Sequence, residues 1–168
     1  MALSLRAVAP LLAVALASPA LADGMNVKLK GYAEVPSVST TAKARFKASI
    51  DQKSGALSYE LSYSGLEGEV RQAHIHFGEH GTNGGIAVWL CQTTFNVDPT
   101  GLAPTCLQSG TVSGTVTAAN VVGPAGQGIA AGEFAELVAA IRAGAAYVNV
   151  HTTKFPAGEV RAQLRDDD

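Results

Sequence analysis

Apolar and polar positions alternate along most of this chain. Within Met25 to Ala33, Val27 and Leu29 alternate with Lys28 and Lys30. From Ala42 to Ile50, Ala44, Phe46, Ala48 and Ile50 alternate with Lys43, Arg45 and Lys47. From Ala56 to Ser64, Leu57, Tyr59, Leu61 and Tyr63 alternate with Ser58, Glu60 and Ser62. Residues two apart on a strand point to one face, so each run predicts a strand with one side on a core. Val35-Pro36 takes the chain out of any ladder, because proline has no N–H to donate. Asp51-Gln52-Lys53-Ser54-Gly55 reads as the hairpin connection between the second and third strands.

The alternation continues through Gln72-Ala73-His74-Ile75-His76-Phe77-Gly78, after a turn at Gly65 to Glu69. Ala73, Ile75 and Phe77 are expected to face the core, with Gln72, His74 and His76 on the outside. Ile86 to Cys91 is apolar throughout, Trp89 included, which predicts a central strand. Ser109 to Thr117 alternates weakly, and a Gly/Pro loop covers Asn120 to Gly128. The period then changes. Phe134, Leu137, Val138 and Ile141 recur at three and four, with Glu133 early, Arg142 late and Gly144 after the last turn, which predicts one amphipathic helix. Tyr147 to Thr152 and Glu159 to Leu164 close the pattern as strands, with Tyr147, Asn149 and His151 expected outward. Short strands separated by turns, with one late helix, make an all-β fold: an antiparallel β-sandwich with Greek-key connections and a single short α-helix.

The two ends of the chain stand outside this pattern. Residues 1–22 predict a secretory signal peptide: Arg6 supplies the positive charge, Ala7 to Ala17 the apolar stretch, and Ala20-Leu21-Ala22 an A-x-A cleavage site. The mature domain is then 23–165, periplasmic or secreted, and 166–168 is expected to be a disordered tail. The leader's apolar run is short for a membrane anchor, and no later stretch predicts a span. With 168 residues, a formal net charge of −2 and no arginine-rich cluster, the chain is one domain with no case for nucleic-acid binding. Export permits disulfides. Cys91 and Cys106 are the only cysteines and flank the turn Asp98-Pro99-Thr100-Gly101, so a bridge is expected; two free thiols acting as soft metal ligands are the alternative.

Candidate chemistry centres on histidine. His74 and His76 lie on one strand and His151 on another, all at outward positions. If those strands come close, three imidazoles converge outside the core. Neutral imidazole suits copper and zinc, and copper binds such a set more tightly. No carboxylate cluster of the calcium type is present. The expected cofactor is therefore a copper ion held by His74, His76 and His151, with Asn149 or Gln72 fixing a ring tautomer. Against this stands a structural role, in which His74 and His76 bond the glycine-rich loop Gly78 to Gly85 and His151 packs under Phe155. That loop lacks the lysine and helix start of a phosphate cradle.

The remaining polar positions are read more plainly. Glu159 and Arg161 share a face and are expected to form an ion pair; the alternative places Arg161 beside the histidines to steer an anion or substrate. Glu34 reads as a turn contact, and Trp89 and Tyr147 as core or site walls. The stripe Lys43, Arg45 and Lys47 reads as a solvated face guarded by lysines against edge pairing, with an anion-binding surface as the alternative.

Four stretches together resemble the CHRD (chordin-type) domain family. They are Leu29-Lys30-Gly31 with Glu34-Val35-Pro36; Ala73 to Gly78; Ala146 to Thr152; and Pro156-Ala157-Gly158-Glu159-Val160-Arg161-Ala162-Gln163-Leu164. The resemblance spans nearly all of the mature chain and implies an exported β domain. A weaker, architectural similarity links the order His74, His76, His151 to the copper ligands of copper/zinc superoxide dismutases, with Arg161 near the place of their steering arginine. His80 is the only spare histidine for their bridging ligand, and it follows His76 too soon; their zinc-ligand set is missing. Three functions follow from these readings: a copper-binding β-sandwich, a non-catalytic module for a protein partner with structural histidines, or a copper-dependent oxidoreductase of the dismutase type. No catalytic residue is assigned.

Overall fold

The computed structural model describes residues 23–51 and 53–165. In chain order the strands are β1 (Asp23–Leu29), β2 (Lys43–Asp51), β3 (Ala56–Ser64), β4 (Val70–Phe77), β5 (Gly85–Cys91) and β6 (Gly110–Val116). Helix α1 (Phe134–Arg142) follows, then β7 (Ala146–Thr152) and β8 (Val160–Leu164). The strands form two four-stranded sheets, ordered β1-β2-β3-β6 and β5-β4-β7-β8. All named pairings are antiparallel. The β3–β6 and β4–β7 pairings join strands distant in sequence, so the chain crosses between sheets in the Greek-key manner. The architecture is the expected β-sandwich with one short helix. The predicted leader, 1–22, and the predicted tail, 166–168, lie outside the described residues. Among the described residues no helix is long and apolar enough to cross a membrane.

The alternation sets the core. Phe46, Ile50, Leu57 and Leu61 project from the first sheet, and Ile75, Leu90, Val148 and Leu164 from the second, all essentially without solvent contact. Each such side chain removed from water contributes about 1.5–3 kcal/mol. Tyr59 ties the layers together: its hydroxyl donates to the carbonyl of Leu90 at 2.6 Å. Burial pushes that phenol up to about 12. Helix α1 buries Leu137, Val138, Ala140 and Ile141. Gly144, at φ +68°, ends it in the left-handed conformation that glycine adopts without penalty.

Two expectations are corrected. β5 is an edge strand, not a central one. It is apolar because its free edge is covered as well as its inner face. Val88 bridges Val121, and the Val122 N–H donates to the carbonyl of Ala87 at 2.9 Å. The first strand stops at Leu29, and Gly31–Ala33 forms a 3-10 turn. A Cβ at Gly31 would lie 2.3 Å from the carbonyl oxygen of Val38, so only glycine fits this close crossing.

Cys91 and Cys106 form the expected disulfide. The enclosed loop is ordered by Asp98, whose carboxylate accepts from the N–H groups of Thr100, Leu102 and Ala103 at 2.9–3.1 Å. Burial opposes its ionisation, yet these bonds and that of the Thr100 hydroxyl hold the carboxyl below its usual range. With 15 residues of sequence separation, reduction is expected to cost about 3 kcal/mol of stability. Guanidinium unfolding with and without a thiol reductant measures it; coincident midpoints would contradict the expectation.

Candidate metal centre

The register of the second sheet assembles the site. β4 and β7 run side by side, with His74 opposite Asn149, His76 opposite Tyr147 and Gln72 opposite His151. β8 adds Arg161 opposite Asn149, and β5 adds Trp89 opposite His74. Side chains on one face of paired strands are neighbours. His74, His76 and His151 therefore meet on the face away from the core, and one ring nitrogen from each lies within 4.8 Å of the others. The ring centroids of His74 lie 5.2 Å from those of His76 and 5.0 Å from those of His151. The Trp89 ring packs edge-on against His74 at 4.3 Å.

The expected convergence is present, but the expected open face is not. His74, His76 and His151 are 0%, 7% and 6% exposed. The glycine-rich loop between β4 and β5 folds over this face. Gln163 donates to the carbonyl of Gly78, Arg161 to that of Glu79, and Asn83 to that of Val35, at 2.8–3.1 Å. Gly84 lies so close to β4 that a Cβ would sit 1.7 Å from the carbonyl oxygen of Phe77. Alternation identifies which sheet face a side chain takes. It carries no information about a loop that covers that face.

The loops also fix the imidazole tautomers. His76 Nδ1 lies 2.9 Å from the carbonyl oxygen of Gly84, and His151 Nδ1 lies 3.0 Å from that of Pro156. A carbonyl can only accept, so each Nδ1 carries the proton and each Nε2 keeps its lone pair. His74 Nδ1 stands 3.2 Å from His151 Nε2. Burial keeps the rings neutral. It holds His74 well below its ordinary value, with the neighbouring His151 and His76 adding to the effect. It lowers His76, against the Gly84 bond, and brings His151 down to about 4. Nε2 of His74 and of His76 are buried without a hydrogen-bond partner among the described residues. Buried nitrogens of that kind are uncommon. A copper or zinc ion sits about 2.0–2.1 Å from each imidazole nitrogen, which places ligand nitrogens about 3.3–4 Å apart. Closing the present spread by roughly 1 Å satisfies that geometry. The donor set fits a nitrogen-loving metal.

Around the rings, the other candidates take separate places. Asn149 is buried; its Oδ1 position lies 2.9 Å from His151 Nε2, and because that nitrogen carries no proton the amide must turn its NH2 towards it, while its other flank neighbours Glu34 and His76. Tyr147 stacks on His76 at 4.7 Å, and the Arg161 guanidinium carbon lies 3.4 Å from the centre of the Tyr147 ring. Arg161 is 2% exposed and is committed to Tyr147, Asn83 and the carbonyl of Glu79. The expected pair between Glu159 and Arg161 does not form. Glu159 turns the other way and accepts from Thr40 Oγ1 and Thr152 Oγ1, both at 2.8 Å, and from the Glu67 N–H at 2.9 Å. Gln72 is half-buried beside His151, and His80 is exposed in the loop, outside the cluster.

Glu34 is the residue the sequence reading undervalued. It is 5% exposed, and its Oε1 has no hydrogen-bond partner among the described residues. Burial pushes its carboxyl up to about 7, against the opposing influence of Arg161 and the Asn149 bond. It packs on Gly158, where a Cβ would come within 2.4 Å of Oε1. The available signal was composition: an acid between Ala33 and Val35, just ahead of Pro36, has only apolar neighbours in sequence.

The four stretches that carry the family resemblance thus meet in one place, with Glu34, His74, His76, Tyr147, Asn149, His151, Gly158 and Arg161 around a shared centre. No curated protein and no solved structure matches the chain. The CHRD domain family model matches residues 25–164, from the third residue of β1 to the end of β8. On that match, the chain belongs to the CHRD domain family.

Proposed function

We propose that this protein is an exported CHRD-domain protein that binds one copper ion through His74, His76 and His151. The observation that carries the reading is the pair of buried, unpartnered Nε2 atoms of His74 and His76 beside a third ring whose Nδ1 is already committed to a carbonyl. Three neutral imidazoles with no thiolate or clustered carboxylate favour copper over the other common divalent metals. The cysteines are joined in a disulfide and take no part. Asn149, Tyr147 and the Gly84 and Pro156 carbonyls orient the rings, as partners of ligating histidines commonly do. Bound copper would supply electron transfer; the chain's own residues hold the rings neutral and keep water away.

Competition titration of the purified protein with Cu(I) and Cu(II), against a chelator of known affinity, tests the proposal. One equivalent is expected to bind, and replacing all three histidines by glutamine is expected to weaken binding at least about 100-fold, or about 2.7 kcal/mol. Equal binding by a folded variant overturns it. The bonds from His76 to Gly84 and from His151 to Pro156 favour a second reading, in which the imidazoles serve only to hold the loops of a non-catalytic interaction module. That reading expects no copper binding by the unmutated protein, and a lower melting temperature for the variant in metal-free buffer. A dismutase activity has less support, because His80 stands apart and no zinc-ligand set accompanies the cluster among the described residues.

A further inference from the structure

The outer face of the first sheet, the layer that does not carry the histidines, bears a group of cations with a single acid directly opposite one of them, Glu60 opposite Lys47. Lys28 on β1 stands directly opposite Arg45 on β2. Lys30 follows Leu29, which pairs with Ala44, so it continues the same row beside Lys43. Neighbouring strands are about 4.8 Å apart, and same-face residues along a strand about 6.8 Å apart. Like charges placed opposite one another weaken a sheet. None of Lys28, Lys30, Lys43, Arg45 or Lys47 forms an ion pair within the described residues. The Arg45 guanidinium is instead steadied by Asn26, to which it donates at 2.7 Å.

Protection of a sheet edge does not account for this arrangement. β1 is an edge strand, but β2 is interior, between β1 and β3. Lys43, Arg45 and Lys47 therefore guard no edge. A groove of about 640 Å³ runs over this end of the face, lined by the four cations Lys28, Lys30, Lys43 and Arg45 and by the hydroxyls of Ser62, Ser64, Ser109 and Thr111, with the buried or half-buried Leu29, Ala42, Ala44 and Tyr63 beneath them. No aspartate or glutamate lines it. The chain as a whole has net charge −2, so this positive field is a local concentration.

We propose that this groove binds an acidic polysaccharide, one whose sulfate or carboxylate groups repeat along an extended chain. Rows of ammonium and guanidinium groups match repeating anions, and the serine and threonine hydroxyls match sugar hydroxyls. The outward positions beside the four cations of the groove, Asn26, Ser62, Ser64 and Thr111, are polar, and Glu60 faces Lys47 outside it. They provide no aromatic platform for stacking bases, as single-stranded nucleic acid requires, and no apolar side chains to enter a bilayer. The site is independent of the histidine cluster.

Binding of the full protein to size-defined dextran sulfate and to oligouronate, with neutral dextran as the control, tests the proposal by calorimetry. Affinity is expected to fall about tenfold between 50 and 200 mM NaCl, through counterion release. The variant Lys28→Ser, Lys43→Ser, Arg45→Ser is expected to bind at least tenfold more weakly while melting normally; the single change Lys43→Glu, at an exposed position, gives a second test with less risk to the fold. The histidine-to-glutamine variant is expected to bind the glycan as the unmutated protein does. Undiminished binding by both groove variants overturns the proposal. So does absence of glycan binding, or binding of an oligonucleotide or phosphatidylglycerol vesicles as tightly as the sulfated glycan.

Discussion

Metal-free protein is expected to lose stability as the pH falls from 6.5 towards 4, and a Glu34→Gln variant to lose about 2 kcal/mol more over that range. His151 has its value brought down to about 4 in the fold, against 6.5 when unfolded. The unfolded chain therefore takes up the proton first. The stability that goes with a neutral ring is full above 6.5 and is lost as pH falls through about 4, roughly 3 kcal/mol in all. His74 and His76 are lowered too, so their contributions have the same sign. Glu34 acts oppositely. Its value is raised from 4.5 to about 7, so its contribution is full below 4.5 and is lost as pH rises through about 7. In the unmutated protein it offsets about one histidine. Glutamine removes that offset, and any fixed cost of the substitution cancels when slopes are compared. With all three histidines replaced by glutamine, only Glu34 remains of the four, and acidification from pH 7 to 4.5 should strengthen the fold. Urea unfolding at half-unit pH steps measures all three proteins. Parallel curves for Glu34→Gln and the parent would refute the opposition of signs.

Glu159→Ala is expected to lower the unfolding free energy by about 3–5 kcal/mol, through the buried donors it leaves without an acceptor. The carboxylate is fully buried and accepts three hydrogen bonds. Alanine leaves the Thr40 hydroxyl, the Thr152 hydroxyl and the Glu67 N–H without that acceptor, and buried donors left unsatisfied cost about 1–3 kcal/mol each. The three donors come from the segment before β2, the turn before β4 and the end of β7, so the side chain joins stretches distant in sequence. Glu159→Gln keeps the shape and one oxygen, and is expected to cost less than half as much. Thermal unfolding of both variants at pH 7 provides the comparison. Equal losses would mean that shape, not acceptor count, governs this position.

Where burial follows period-two alternation, the fold was legible before any coordinates. Phe46, Leu57, Leu61, Ile75 and Val148 all lie inward as their positions require, and the helix begins at Phe134 as its three-and-four spacing requires. The convergence of His74, His76 and His151 was legible for the same reason, once β4 and β7 are paired. What the pattern did not reveal depends on partners remote in sequence. Trp89 and its neighbours read as central because covering an edge and burying both faces leave one signature, an unbroken apolar run. Glu159 and Arg161 share a face in sequence, yet Thr40, Glu67 and Thr152 claim one while Tyr147, Asn83 and Glu79 claim the other. The basic stripe of β2 could be weighed properly only when strand order showed which strand forms the edge.

The main-chain contact between Lys30 and Arg161 has a mechanical consequence. Each residue's N–H donates to the other's carbonyl, at 2.9 and 3.1 Å, and this joins the start of the first sheet to the last strand of the second. That corner is stitched shut. Were an ion to reach the imidazoles, as the copper proposal requires, the path would have to open elsewhere. The side still to be opened is the one under the glycine-rich loop at 78–84, where Gly84 is held through its carbonyl by His76 and through its N–H by Tyr147.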